Sequence, residues 1–201
     1  MFQSTAQGYF DYDDGVVRAY EAVTDLDFEE GRQILDSLHR VTPHNLAIVH
    51  VENYLDFFTL FISEKATDFA SLKANKEQRL AALKIAGPND PYLPFVEAEI
   101  LLQWALIRSK FDELILSARE LYKAYNILED AKETHPDFLL YNKSLSIIHA
   151  LAETIPLPGF FKDLFGVSGT IDQGVEEIQT LITAVESRGQ WQVFHLSLIH
   201  I

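Results

Sequence analysis

The groups able to do chemistry in this chain of 201 residues are seven histidines and a surplus of carboxylates. His39, His44, His50, His135, His149, His195 and His200 include no Glu-x-x-His pair, so the di-iron pattern of helical bundles is missing. There is no His-Glu-x-x-His run and no cysteine, the usual carriers of a zinc site. Asp11, Asp13 and Asp14 resemble a calcium loop until the spacing is counted. Gly15 comes one place early, and the twelfth position is Ala22 where an acid is needed. Hydrolysis by a carboxylate pair would need two acids about 5 to 10 Å apart across a cleft. Glu52, Glu97 and Glu99, with Tyr54 and Trp104 nearby in sequence, are the candidates for it. If Glu99 faces inward, it needs a partner such as Arg79, Arg108 or Arg119, or a raised pKa. No serine motif or phosphate loop is present. The expectation is a chain with no catalytic residue, no cofactor and no metal.

These groups ride on helices. Residues 92–133 read as two long helices joined by a short turn at 109–112. Phe95, Ala98, Leu102, Ala105 and Leu106 recur at helical spacing, and Leu101, Trp104 and Ile107 widen that stripe. A helix so broadly apolar is normally covered on both sides. The return helix places Leu114, Ala118, Leu121, Tyr125, Leu128 and Ala131 on its inner face. A first helix follows Asp13 and Asp14, with Val16, Val17, Tyr20 and Val23 inward. Asp27 caps a second, with Glu30 reciprocating, over Ile34, Leu35, Leu38 and Val41. Pro43 is placed to start a third helix over 44–63, buried through Leu46, Val49, Tyr54, Leu55, Phe57, Phe58, Phe61 and Ile62. A fourth spans about 67–86, with Asn75 as an alternative start. Residues 87–91, Gly-Pro-Asn-Asp-Pro, are the clearest break, where two lobes could meet. His135-Pro136 opens a helix through Phe138, Leu139, Tyr141, Leu145 and Ile148. Residues 155–166 are an apolar insertion with two prolines, holding one or two short helical turns. Thr170 and Gln173 form a capping box for the last long helix, with Val175, Ile178, Leu181, Ile182 and Val185 inward. Trp191 to Phe194 look like the start of another helix.

Composition narrows the class. With 48% apolar residues, 14 Phe and 8 Tyr, the chain is not wholly disordered and can bury one real core. The formal charge of −14 opposes nucleic acid and anionic membrane surfaces. The richest basic run, Lys73, Lys76, Arg79 and Lys84, is spread round a helix beside Glu77. No stretch is long and apolar enough to span a membrane. Residues 1–10 are expected to be loose. They end either as a plain frayed terminus or as the remnant of an export signal, with small residues before a start near Gln7 or Gly8. The second reading places the protein in the cell envelope or periplasm, the first in the cytoplasm. Residues 196–201 match one translated frame of a sequencing-library adapter. Residues 195–201 are therefore expected to be a non-native tail on a truncated chain, with a helical-repeat domain over 11–194.

Successive hairpins of similar length resemble a tetratricopeptide-like alpha solenoid. Over 14–45, Gly31 takes the small-residue place of the second helix, Leu35 and Leu38 the later packing places, and Pro43 the closing proline. Gly15, Arg18 and Ala22 depart from the first-helix pattern. A second match has Trp104, Ile107, Arg108 and Phe111 in the Trp, Leu, Gly and Tyr places, and Arg108 departs from it. The order of elements is similar to the front of tetratricopeptide-like proteins from Bacteroidetes. The resemblance implies an all-α stack of antiparallel hairpins that binds a protein or peptide without catalysis. Tyr54, Phe58, Trp104, Arg108 and Tyr125 are the candidate binding residues, because aromatics and arginine dominate interaction hot spots. The rival readings are an acidic-residue hydrolase on a helical fold, and a structural front domain of a longer protein.

Overall fold

A computed structural model of the chain describes residues 7–154, 167–188 and 191–194. Residues 1–6 of the expected signal remnant, the apolar insertion at 155–166 and the tail at 195–201 lie outside the described residues. The described residues are all-α, with no strand among them. Helices are α1 (Asp14–Thr24), α2 (Phe28–Val41), α3 (Ala47–Ser63), α4 (Ala66–Leu72), α5 (Asn75–Ala82), α6 (Tyr92–Lys110), α7 (Leu114–Thr134), α8 (Tyr141–Thr154) and α9 (Ile171–Arg188). Two compact units divide the chain, Met1–Gln103 and Trp104–Ile201, and the 87–91 break falls inside the first.

In the first unit, Asp13 caps α1 by accepting from the Gly15 and Val16 amides, each at 2.9 Å. Asp27 accepts from the Glu30 amide at 3.1 Å. The reciprocal half of that box does not form, because the Asp27 amide donates to the Ala22 carbonyl at 2.8 Å. Helices α1 and α2 run antiparallel. A Cβ on Gly15, at the start of α1, would lie 2.8 Å from Leu38 near the end of α2. A Cβ on Gly31, at the start of α2, would lie 2.7 Å from Val23 near the end of α1. The glycines thus let the two helices approach closely. Val16, Tyr20, Val23 and Leu35 are buried as the periodicity requires, but Val41 is 75% exposed in the last turn of α2.

Two boundaries move, each for a tertiary reason. Helix α3 starts at Ala47, four residues beyond Pro43. The backbone of 44–46 is taken up by the amino-terminal arm: the Tyr9 amide donates to the His44 carbonyl (3.1 Å) and the Leu46 amide to the Tyr9 carbonyl (2.7 Å). Residues 8 and 9 are therefore pinned where a loose end was expected. The single helix expected over 67–86 is two, α4 and α5, followed by a 3-10 turn at Leu83–Ile85. The break brings Asn75 and Arg79 onto Asp56 Oδ2, at 2.8 and 2.6 Å. Along α3, Leu46, Val49, Tyr54 and Leu55 are buried as expected, whereas Phe61 and Ile62 are 37% and 55% exposed.

The second unit opens with the last turns of α6, from Trp104, which lead through the expected short corner into α7. The Ser117 hydroxyl donates to the Ala105 carbonyl at 2.6 Å across it. Helix α8 begins at Tyr141, not at Pro136, because 135–140 coil through successive turns. Phe138 packs there against Tyr141 and Trp191. Thr170 caps α9 by accepting from the Gln173 amide at 3.1 Å. Helices α8 and α9 pack antiparallel, since Glu153 near the end of α8 accepts from the Ile171 amide at the start of α9. Gly174 allows that contact: a Cβ there would lie 2.5 Å from the Ser146 carbonyl oxygen. Leu181 and Val185 are buried, but Val175 is 45% exposed. The expected further helix is a 3-10 turn, Gln192–Phe194, with Phe194 buried beneath Lys143.

Candidate functional site

Three consecutive large apolar side chains are exposed at the corner between α6 and α7. Leu114, Ile115 and Leu116 fill the first turn of α7 and are 60%, 69% and 42% exposed. Consecutive helical residues point about 100° apart, so three in a row cannot share one buried face. The turn beneath them is tightly tied. The amides of Phe111 and Glu113 both donate to the Arg108 carbonyl, and Asp112 takes a left-handed φ of 60°. The Arg108 guanidinium reaches Glu113 and also donates to Glu120 Oε1 at 3.0 Å. The apolar tip thus sits on a corner clamped by charge. Leu114 was expected in the core with Ala118, Leu121, Tyr125, Leu128 and Ala131; Tyr125 is half-buried and the other four are buried.

The buried polar groups of the first unit form a different arrangement. Glu99 is only 2% exposed, so it does face inward, where a tyrosine and a histidine meet it. Tyr54 Oη donates to Glu99 Oε2 at 2.5 Å, and His50 Nε2 lies 3.1 Å from the same oxygen. A carboxylate only accepts, so His50 Nε2 donates to it, and His50 Nδ1 lies 2.7 Å from Tyr12 Oη. Burial pushes the Tyr54 phenol well up, with the Glu99 charge adding to it. Burial, then Tyr92 and Glu99, does the same to Tyr12. Both phenols therefore stay protonated donors. The arrangement ties the arm, α3 and α6 together. Alongside it, Asn53 donates to Gln103 at 2.6 Å. Two of the three acids named for hydrolysis go separate ways, since Glu52 meets His39 at 2.7 Å on the surface while Glu99 meets His50 in the core, and Glu97 is half-buried.

In the second unit His149, 2% exposed, places Nδ1 2.7 Å from Glu177 Oε2, and its Nε2 faces the Gln173 amide at 3.4 Å. Its ring meets Tyr125 edge-on at 5.9 Å. Burial first, then the charge of Glu129, raises the Tyr125 phenol, while a hydrogen bond with Ser168 works against that. Glu177 borders an open cleft of about 310 Å³, lined also by Lys132, Phe138, Asn142 and Gln173. The second imidazole nitrogen is turned to Gln173, so the pair fastens α8 to α9.

Of the residues singled out from sequence, Tyr54 and Trp104 are 5% and 0% exposed and belong to the core. Arg108 is engaged by two carboxylates. Phe58 and Tyr125 are half-buried, Phe58 among Tyr54 and Phe57. In the basic run, Lys76 meets Glu77 at 3.0 Å and Arg79 meets Asp56. Among the described residues no group of three metal-ligating side chains converges, and no helix is long and apolar enough to cross a membrane. The Leu114–Leu116 tip was missed, although three large apolar residues opening a helix just after Asp112-Glu113 are a readable signal. No family model, curated protein or solved structure matches this chain.

Proposed function

We propose that this chain binds a protein or peptide and is not an enzyme, and that the first turn of α7 is the part that enters the partner. The reading takes the helical hairpins as units of a degenerate tetratricopeptide-like solenoid, which the close α1–α2 approach at Gly31 supports. The observation that carries it is the exposure of Leu114, Ile115 and Leu116 on a corner stiffened by Arg108. Rigid apolar anchors lose little conformational freedom on binding and contribute most of an interface's energy. A fitting partner offers an apolar pocket with basic residues around it, matching the formal charge of −14.

The test is a panel of peptides selected on the wild-type chain and then measured against Leu114→Glu with Ile115→Glu. Both positions are exposed, so stability should change by no more than about 0.5 kcal/mol. The selected peptides should lose at least about tenfold in affinity, or 1.4 kcal/mol. Affinities equal on both chains would remove the tip from the binding surface.

A further inference from the structure

Independently of the α7 tip, the first unit holds an extended segment in a shaped trough. Residues 8–12 lie between 44–46 and 85–90, and each alternate residue is read differently. The Gly8 amide donates to the Ile85 carbonyl at 2.9 Å, and a Cβ on Gly8 would lie 2.8 Å from Leu46 and 2.9 Å from Ile85. Phe10 stacks on Tyr92 at 5.9 Å. Tyr12 reaches inward to His50 at 2.7 Å. Between them the backbone is grasped directly. Tyr9 exchanges hydrogen bonds with His44 and Leu46, and the Asn45 side chain accepts from the Asp11 amide (3.0 Å) and donates to the Asp11 carbonyl (2.7 Å). This is how sheet-edge recognition treats a peptide: main-chain bonds give affinity and alternate side chains give specificity. The Tyr9 side chain, 43% exposed, contributes no such reading. Beside the arm the trough stays open as a cleft of about 460 Å³, lined by Gln7, Tyr9, Pro88, Asn89 and Asp90.

We propose that this trough is a binding site for an extended peptide of the pattern Gly-x-Phe-x-Tyr, which residues 8–12 of the chain fill as a displaceable internal ligand. A peptide of this pattern would take over the same contacts in turn, the main-chain bonds at Gly8 and Tyr9, the Asn45 side chain at Asp11, and the Tyr92 and His50 rings at Phe10 and Tyr12. The open cleft gives an incoming peptide its first foothold.

The test uses the full chain. Gly8→Glu cannot seat its own arm between Leu46 and Ile85. A fluorescein-labelled peptide of residues 7–12, Gln-Gly-Tyr-Phe-Asp-Tyr, is titrated into wild type and variant and followed by anisotropy. Saturable binding to the variant is expected, at least tenfold tighter than to wild type. Peptides carrying Gly8→Glu or Tyr12→Ala should lose at least tenfold. No binding to the variant, equal binding to both chains, or equal binding by a scrambled peptide overturns the proposal. Should the variant fail to fold, hydrogen exchange of the wild type decides. The Gly8, Tyr9 and Leu46 amides are expected to exchange by local opening, well ahead of the buried amides of α3. Exchange of both sets at one common rate overturns it.

Discussion

Glu99 shows how one buried residue organises its surroundings. A carboxylate this enclosed is tolerable only where donors converge on it, and Tyr54 and His50 supply them. Tyr54→Phe removes one donor, and unfolding in urea should show a loss of about 1–3 kcal/mol near neutral pH. The same substitution should alter the alkaline limb. In the folded state the Tyr12 and Tyr54 phenols titrate above their ordinary value near 10, so the unfolded chain ionises first. Their contribution is complete below about pH 10 and is lost as pH rises through the folded-state values. Urea unfolding across that range should decline steeply for wild type and less steeply for Tyr54→Phe. Parallel curves would contradict this account. Gly174 gives a second prediction at this scale. On helix propensity alone, Gly→Ala would stabilise α9 by about 1 kcal/mol. A Cβ 2.5 Å from the Ser146 carbonyl must push α8 and α9 apart, so Gly174→Ala should lower the melting temperature.

The elements were largely readable because their determinants are local. Capping uses residues two or three apart, and Asp13, Asp27 and Thr170 all accept from amides in the following turn. Asp13 takes two amides and Asp27 one, so Asp13→Ala should cost more than Asp27→Ala, each about 0.5–2 kcal/mol by denaturant melts. The reverse order would show that the second amide adds nothing. Apolar periodicity identified the covered faces of α1 and α6, but it overreached at helix ends. Val41, Phe61, Ile62, Leu114 and Val175 keep the spacing of a buried stripe and are exposed. Periodicity gives the direction a side chain points along its own helix, and not whether another element reaches that far.

For the chain as a whole, the dominant quantity is the formal charge of −14. Self-repulsion opposes the compact state and is screened within about 10 Å at 0.1 M salt. Raising sodium chloride from about 20 to about 200 mM should therefore raise the melting temperature. A fall would mean that screened surface ion pairs such as Lys132–Glu129 outweigh the repulsion. The sequence by itself determined the all-α class of the described residues, the α6–α7 corner and the caps. Each depends on side chains within a turn or two of one another, where geometry follows from spacing. Tertiary structure alone decided that His50 meets Glu99 49 positions away, that residues 44–46 pair with the arm instead of starting α3, and that the first turn of α7 is left bare. Those outcomes depend on which distant segment arrives alongside, and that is set by the packing of whole helices.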